Sequence, residues 1–133
     1  MENYSAAGSQ GAIPLRSMVN RVSEHLAAKG RIVNQIPSRI PVGCDREKFS
    51  AVLFHLFCTL VQNLRETEFR VSAKTYSSVT LLHIKGSAEI CENWFRERMQ
   101  PVVQLAESLG GTIELTSFHN RISTIAFSFV NAA

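Results

Sequence analysis

The stretch 105-LAESLGGTIELTSFHNRISTIAFSF-129 indicates the fold more plainly than any other part of the chain. It opens as the end of a helix, and the pair Gly110 and Gly111 predicts the stop. Apolar residues then alternate with polar ones on both sides of the turn 118-FHNR-121, a pattern typical of a β-hairpin with one buried face. We therefore expect a helix packed against an antiparallel hairpin. The alternating apolar residues are Ile113, Leu115, Ile125, Phe127 and Phe129.

Two amphipathic helices are predicted upstream of this stretch. In the first, apolar residues recur at helical spacing from Leu15 to Leu26, with Pro14 at the first helical position and Gly30 near the C-terminal stop. The second has Asp45 as its N-cap and carries the strongest apolar face of the chain, so we expect it to be the central core helix. Its apolar residues are Phe49, Val52, Leu53, Leu56, Leu60, Val61 and Leu64.

Short strands and turns fill the remaining segments. Residues 31–36 (RIVNQI) are a strand candidate, and residues 37–44 (PSRIPVGC) are predicted as a loop because of their two prolines and glycine. Residues 69–85 predict a hairpin that turns at a serine pair. Residues 92–109 have a helical pattern that Pro101 must either break or restart as a second helix.

The order helix, strand, helix, hairpin, helix, hairpin favours an α+β domain. Each helix has one apolar stripe and each strand one apolar side, so the helices should pack on one face of a mixed, mainly antiparallel sheet in a two-layer α/β sandwich. We expect one such domain over residues 13–133, preceded by a flexible polar lead-in over residues 1–12.

Composition excludes several classes of function. The chain has 133 residues, 45% of them hydrophobic, and a net charge of +3 without a dense basic patch, so we expect no nucleic-acid partner. No apolar run reaches the roughly 18 residues that span a bilayer, and no secretory signal is recognisable, which predicts a cytoplasmic protein without a membrane partner. Cys44, Cys58 and Cys91 lack metal or redox spacing and are predicted to be free thiols.

Residues 13–57 and 102–117 resemble the ATP-binding domain of the histidine-kinase-like ATPase (GHKL) family, and the two-component sensor histidine kinases are the most similar members. The resemblance covers about residues 13 to 130. It implies the Bergerat-type ATPase fold and a role in two-component or phosphorelay signalling. Because this fold alone does not define an activity, the nucleotide-binding positions have to be considered one by one.

On the core helix the resemblance implies three residues that are absent here. The asparagine that helps to hold magnesium falls at Thr59, a companion asparagine at His55, and a phosphate-side lysine at Gln62. The hydroxyl of Thr59 is a weak replacement for an amide as a ligand of a hard cation. We therefore predict no metal site on this helix.

The adenine-binding turn Asp-x-Gly-x-Gly is also absent. Its aspartate falls at Lys85 and its glycines at Ser87 and Glu89. Lysine donates hydrogen bonds but cannot accept the one from the adenine amino group, and the added side chains occupy space that the base needs. The lid is shortened to a few residues around 91-CENWF-95.

The resemblance places the glycines of the second glycine-rich box at Arg96 and Arg98, where the arginines could contact phosphate directly, although a solvated helix face is the favoured interpretation. Trp94 and Phe95 beside them either cover the vacated pocket from within the core, which we favour, or anchor a partner. No phosphoacceptor motif surrounds any histidine. The four histidines are His25, His55, His83 and His119, of which His25 is the best stray candidate.

The resulting prediction is a non-catalytic domain that does not bind ATP, has no cofactor and acts through protein contacts. Its partner would be a histidine kinase, a phosphotransfer protein or a response regulator, with homodimerisation also possible. The candidate contact residues are Trp94, Phe95, Arg96 and Arg98. One alternative is an ATP-binding kinase or anti-sigma-type domain with an unusual site for ATP and magnesium, and another is a small-molecule sensor in the vacated pocket.

Overall fold

The computed structural model describes residues 13–27, 30–118 and 121–131, and within them the chain forms four helices and two sheets. The expected lead-in, residues 1–12, and His119 lie outside the described residues. The helices are α1 (Leu15–His25), α2 (Arg46–Asn63), α3 (Glu92–Arg98) and α4 (Gln100–Glu107). The strands are β1 (Ile13–Pro14), β2 (Ile32–Asn34), β3 (Pro41–Val42), β4 (Phe69–Tyr76), β5 (Val79–Gly86), β6 (Thr112–Phe118) and β7 (Arg121–Val130).

The main sheet has five strands in the order β2-β4-β5-β7-β6. Strand β2 runs parallel to β4 and the other neighbours are antiparallel, while β1 and β3 form a separate two-stranded antiparallel sheet. Along β4, Phe69, Val71 and Ala73 are buried while the residues between them are exposed, so the helices cover one face of the sheet. The predicted α+β architecture with a mixed, mainly antiparallel sheet is confirmed.

Helix α2 is the centre of the core, as its apolar face predicted. Phe49, Leu53, Leu56 and Leu60 are fully buried along one side of it. The Asp45 carboxylate accepts hydrogen bonds from the backbone N–H groups of the first turn, at 3.1 and 3.2 Å, and so caps the helix as expected.

Two local predictions were wrong in detail. Pro14 pairs in β1 instead of occupying the first helical position, and its partner in β3 is Pro41, inside the predicted loop. Helix α1 ends at His25, because the chain takes a left-handed conformation at Ala27, with φ 53°. The interruption predicted at Pro101 is confirmed, because the helical pattern of residues 92–109 breaks at Met99 into α3 and α4 and the proline lies in the first turn of α4.

The guanidinium group of Arg31 joins β2 to the C-terminal end of α2. It donates hydrogen bonds to the carbonyl oxygens of Val61 and Thr67, both at 3.2 Å, and to that of Leu64. A cation at this position also interacts favourably with the negative end of the helix dipole.

Replacing Arg31 with alanine should therefore lower the free energy of unfolding by about 2 kcal/mol, the scale of hydrogen bonds from a charged group. Urea denaturation followed by circular dichroism measures the change. The matched control is Arg39→Ala at an exposed position, for which we expect a change within about 0.5 kcal/mol. Equal losses in the two variants would contradict this role of Arg31.

Candidate functional site

The three positions singled out on the core helix lie on the side of α2 that borders solvent. His55 and Gln62 are exposed and Thr59 is half-buried. The Thr59 hydroxyl donates to the His55 carbonyl oxygen at 2.7 Å, and the Asn63 side-chain amide donates to the Thr59 carbonyl oxygen at 2.8 Å. These polar side chains thus donate their hydrogen bonds to carbonyl oxygens of their own helix.

The turn that follows β5 is held by reciprocal hydrogen bonds to the start of β4. The backbone N–H of Ser87 donates to the Glu68 carbonyl oxygen at 2.9 Å, and the backbone N–H of Glu68 donates to the Ser87 hydroxyl, also at 2.9 Å. Lys85 and Glu89 are exposed on either side of this turn, and Lys85 lies opposite Arg70 in the sheet register. The position expected for an adenine-binding aspartate therefore carries a lysine at the end of the middle strand of the sheet, across from an arginine.

Gly86 lies at the end of β5 with protein atoms packed around it. A Cβ added there would lie 3.2 Å from the Ala88 carbonyl oxygen and 3.3 Å from Cγ2 of Thr67. This glycine permits close packing of the chain on itself. Its environment does not resemble a backbone left open for a ligand.

Helices α3 and α4 cover the sheet beyond this turn. Only residues 87–91 separate β5 from α3, and Met99 alone separates α3 from α4. Phe95 is 9% exposed in the core and Trp94 is half-buried against it, whereas Arg96 and Arg98 are exposed. The geometry favours the interpretation in which Trp94 and Phe95 pack on the core over the one in which they anchor a partner. The buried residues of this segment are Ile90, Phe95, Met99, Val102 and Ala106.

Three surface cavities lined by described residues border these elements. The first, of about 250 Å³, combines Lys85 and Ser87 with Glu68 and Arg70. Another, of about 240 Å³, lies between α1 and α2 with His25 at its rim, in edge contact with Phe54 at 5.7 Å. The last, of about 340 Å³, lies between β6 and the helices α3 and α4. None of the three is lined by His55, Thr59 or Gln62, so the predicted site residues are not gathered in one of these cavities.

No sequence motif indicates the groove beside β6. Its lining includes Val103, Glu114 and Leu115, which the sequence pattern predicts only as helix and strand positions. The signal that could have found it is topological, because β6 is the last strand in the sheet order and no strand of the described residues pairs with its outer edge.

Cysteines and metal ligands form no centre in the described part of the chain. Cys44, Cys58 and Cys91 are free, as predicted, and no group of three or more histidine, cysteine, aspartate or glutamate side chains is placed to hold a metal ion in residues 13–27, 30–118 and 121–131. Burial raises the pKa of the Cys44 thiol, a backbone hydrogen bond partly opposes that shift, and the charge of Asp45 adds to it.

None of the helices described above is long and apolar enough to cross a membrane.

This architecture is the fold of the catalytic ATP-binding domains of histidine kinases. The chain is similar to histidine kinase AdeS of Acinetobacter baumannii, with 19% identity and a TM-score of 0.70 over 92% of this chain and 67% of that one. It is similar to the ATP-binding domain of PrrB from Mycobacterium tuberculosis, with 11% identity and a TM-score of 0.67 over 92% and 97% of the two chains.

A third solved structure with this fold is histidine kinase ThkA in complex with response regulator protein TrrA. The identity is 14% and the TM-score 0.70, over 91% of this chain and 41% of that one. No model of a protein family and no curated protein matches the sequence. The predicted resemblance is thus confirmed at the level of the fold, while the state of the nucleotide site has to be argued from the residues.

Proposed function

We propose that this chain is a non-catalytic domain with the histidine-kinase ATPase fold that does not bind ATP and serves as a protein-interaction or regulatory module in two-component or phosphorelay signalling. The observation that carries the proposal is that polar groups at the nucleotide-binding positions bond to the protein itself. The Thr59 hydroxyl is bonded to its own helix, and Ser87 is bonded to Glu68 on both its N–H and its hydroxyl.

Adenine recognition would need an acceptor where Lys85 lies. An ammonium group offers three donors and no lone pair, and it is exposed at the end of β5. A base placed here would lose the hydrogen bond from its amino group. Burial of that amino group without a partner would cost about 1–3 kcal/mol, which removes most of the selectivity for adenine.

Phosphate binding is disfavoured at both helix starts that follow. Helix α3 has the carboxylate of Glu92 in its first turn, where it occupies the positive end of the helix dipole. Helix α4 has Pro101 in its first turn, which removes one of the backbone N–H groups that such a site presents. Neither start offers the open, glycine-rich cradle that a triphosphate requires.

A protein partner of the two-component type is supported by the fold and by the exposed face of α3. The structure of ThkA is a complex with a response regulator, and histidine kinases, phosphotransfer proteins and response regulators are the partner classes that we propose here. Arg96 and Arg98 are exposed on α3 and Trp94 is half-buried beside them. Arginine and tryptophan are the side chains most enriched in binding hot spots. A cytoplasmic location belongs to the same proposal.

Isothermal titration calorimetry with ATP and ADP, with and without magnesium, tests the proposal directly. We expect no binding heat and no rise in melting temperature up to 1 mM nucleotide, because a ligand that binds the native state raises its stability by RT ln(1 + [L]/Kd). Micromolar binding of Mg-ATP with the matching rise in melting temperature would contradict it.

The alternative of an ATP-binding kinase or anti-sigma-type domain makes a different prediction for the two arginines. In that case, Arg96→Ala combined with Arg98→Ala would abolish a measurable nucleotide affinity. Under our proposal the same double variant changes protein binding only, since the wild-type chain has no nucleotide affinity to lose.

A further inference from the structure

The groove of about 340 Å³ between β6 and the helices α3 and α4 has a free sheet edge as one wall. Strand β6 pairs with β7 on one side and with no described strand on the other. Such an edge presents unpaired N–H and C=O groups that can receive another strand. The residues that line the groove are Glu92, Phe95, Arg96, Gln100, Val103, Glu114 and Leu115.

The direction of the backbone groups on β6 follows from the register. The N–H of Asn131 donates to the Ser78 carbonyl oxygen at 2.6 Å, so residue 131 points its backbone groups at the β5 side of β7. Because backbone groups alternate along a strand, Ala126 points toward β6, where its register partner is Glu114. The N–H and C=O groups of Ile113 and Leu115 must therefore point away from β7, toward the open edge.

The side chains around this edge form an apolar floor with charged residues at its borders. Phe95, Val103 and Leu115 give the groove an apolar floor on the helix-covered face of the sheet. Glu114 and Glu92 are exposed at its borders and form no ion pair with a described residue. Arg96 also lies at the border, with its guanidinium 3.5 Å from the side-chain oxygen of Asn93. The charged lining thus carries one more negative than positive charge.

A second copy of this chain fits the edge poorly. Two β6 strands paired antiparallel through Ile113 and Leu115, with the regular segment 112–116 centred, would place Glu114 directly opposite its own copy. This would be a non-hydrogen-bonded pair with Cα atoms about 4.5 Å apart, where like charges destabilise the pairing. The bulge between Thr116 and Ser117 limits pairing registers that shift toward the end of the strand.

We propose that β6 and this groove bind an extended segment of a partner protein, which adds to the sheet as a further strand. Its alternate side chains would be apolar, packing on Phe95, Val103 and Leu115, and basic, lying beside Glu114. The inference rests on the proposed function, because Phe95 and Arg96 are two of the candidate contact residues, and it specifies how the partner is held.

The test uses a fluorescein-labelled nonapeptide that alternates lysine and valine, titrated with the full chain by fluorescence anisotropy. We expect saturable binding, at least tenfold weaker for the version with glutamate in place of lysine. Two N-methylated versions, one methylated at all valines and the other at all lysines, test the backbone pairing, since only every second N–H of an added strand faces β6. One version should lose at least tenfold in affinity and the other should bind nearly as well as the parent peptide.

Charge reversal on the protein provides the matched pair. Glu114→Lys should weaken binding of the lysine–valine peptide about threefold to fivefold, a change that corresponds to the upper part of the range for exposed charge pairs. Glu107→Lys makes the same change in net charge at an exposed position outside the groove and should leave affinity unchanged. Equal effects of the two substitutions, or equal binding of the two N-methylated peptides, would overturn the proposal.

Failure of this inference is distinguishable from failure of the proposed function. Absence of peptide binding in a chain that also binds no Mg-ATP removes the groove as a docking site and leaves the proposed function standing. Micromolar binding of Mg-ATP removes the proposed function whatever the peptide does. A dimer of this chain that competes with the peptide for β6 would overturn the partner assignment.

Discussion

Replacing Phe49 with alanine should lower the free energy of unfolding by about 3–5 kcal/mol, the largest effect that we expect from a single side chain. Phe49 is fully buried in the first turns of α2. Its ring stacks on that of Phe127 with centroids 5.8 Å apart and is tilted against that of Phe129 at 4.7 Å. Alanine would leave a cavity between the helix layer and the central strands, where relaxation is limited by the neighbouring rings.

Urea denaturation followed by far-UV circular dichroism measures the loss. The matched control is Phe54→Ala on the same helix, because the Phe54 ring is partly exposed and contacts His25 and His55 near the surface. We expect the control to lose less than half as much. Since single domains are stable by about 5–15 kcal/mol, a loss of this size is a large fraction of the total stability. A loss below about 1.5 kcal/mol would show that the aromatic cluster is not the centre of the core.

Local patterns predicted most of the fold because they report on one element at a time. The apolar spacing of α2, the Asp45 cap and the alternation in both hairpins depend on neighbours within a few residues, and all three are confirmed. The pairing of Pro14 with Pro41 joins segments that are distant in sequence, and no local pattern encodes it. The early end of α1 likewise depends on the left-handed residue Ala27, which is unusual for alanine.

The candidate site was harder to predict because its character depends on tertiary contacts. The sequence pattern alone placed Lys85 at the end of the second strand of its hairpin and Ser87 just after it, and a resemblance was needed to attach a role to them. The reciprocal bonds between Ser87 and Glu68 join two strands and cannot be read from either one. For Phe95 the sequence left core cover and partner anchor open, and only the packing of α3 decides that it is buried.

Gly110 and Gly111 each have a structural reason to be glycine. Gly110 adopts φ +75°, a conformation that suits the end of α4 and disfavours side chains. At Gly111 an added Cβ would lie 2.7 Å from the Ser128 carbonyl oxygen and 3.0 Å from the Phe127 ring. The double glycine that marks the fold is therefore required by helix termination and close packing, independent of any nucleotide. The double glycine is therefore evidence for the fold and is not evidence for ATP binding.

Replacing Asn131 with alanine should lower the free energy of unfolding by about 2–4 kcal/mol, because it leaves several buried polar groups without partners. The Asn131 amide donates to the Pro41 carbonyl oxygen at 2.7 Å and to the Thr80 hydroxyl at 2.9 Å. Its side-chain oxygen accepts from the Gly43 backbone N–H at 2.7 Å. Because Asn131 is only 8% exposed, water cannot easily replace these hydrogen bonds.

Urea denaturation again measures the change, and Asn63→Ala is the control. Asn63 is exposed and makes one side-chain bond, to the Thr59 carbonyl oxygen at 2.8 Å, so its loss should cost less than about 1 kcal/mol. Asn131→Asp keeps the acceptor for Gly43 but turns a second oxygen toward the Pro41 carbonyl, so it should be no more stable than the alanine variant.

Hydrogen exchange at the Gly43 amide then separates two mechanisms. Asn131 bonds to the segment around β3 and to β5, and so joins the small sheet to the main one. If that junction is part of the cooperative core, faster exchange at Gly43 should accompany the global loss of stability. Faster exchange at Gly43 with unchanged global stability would contradict the prediction, because it would mean that the small sheet opens as a separate unit.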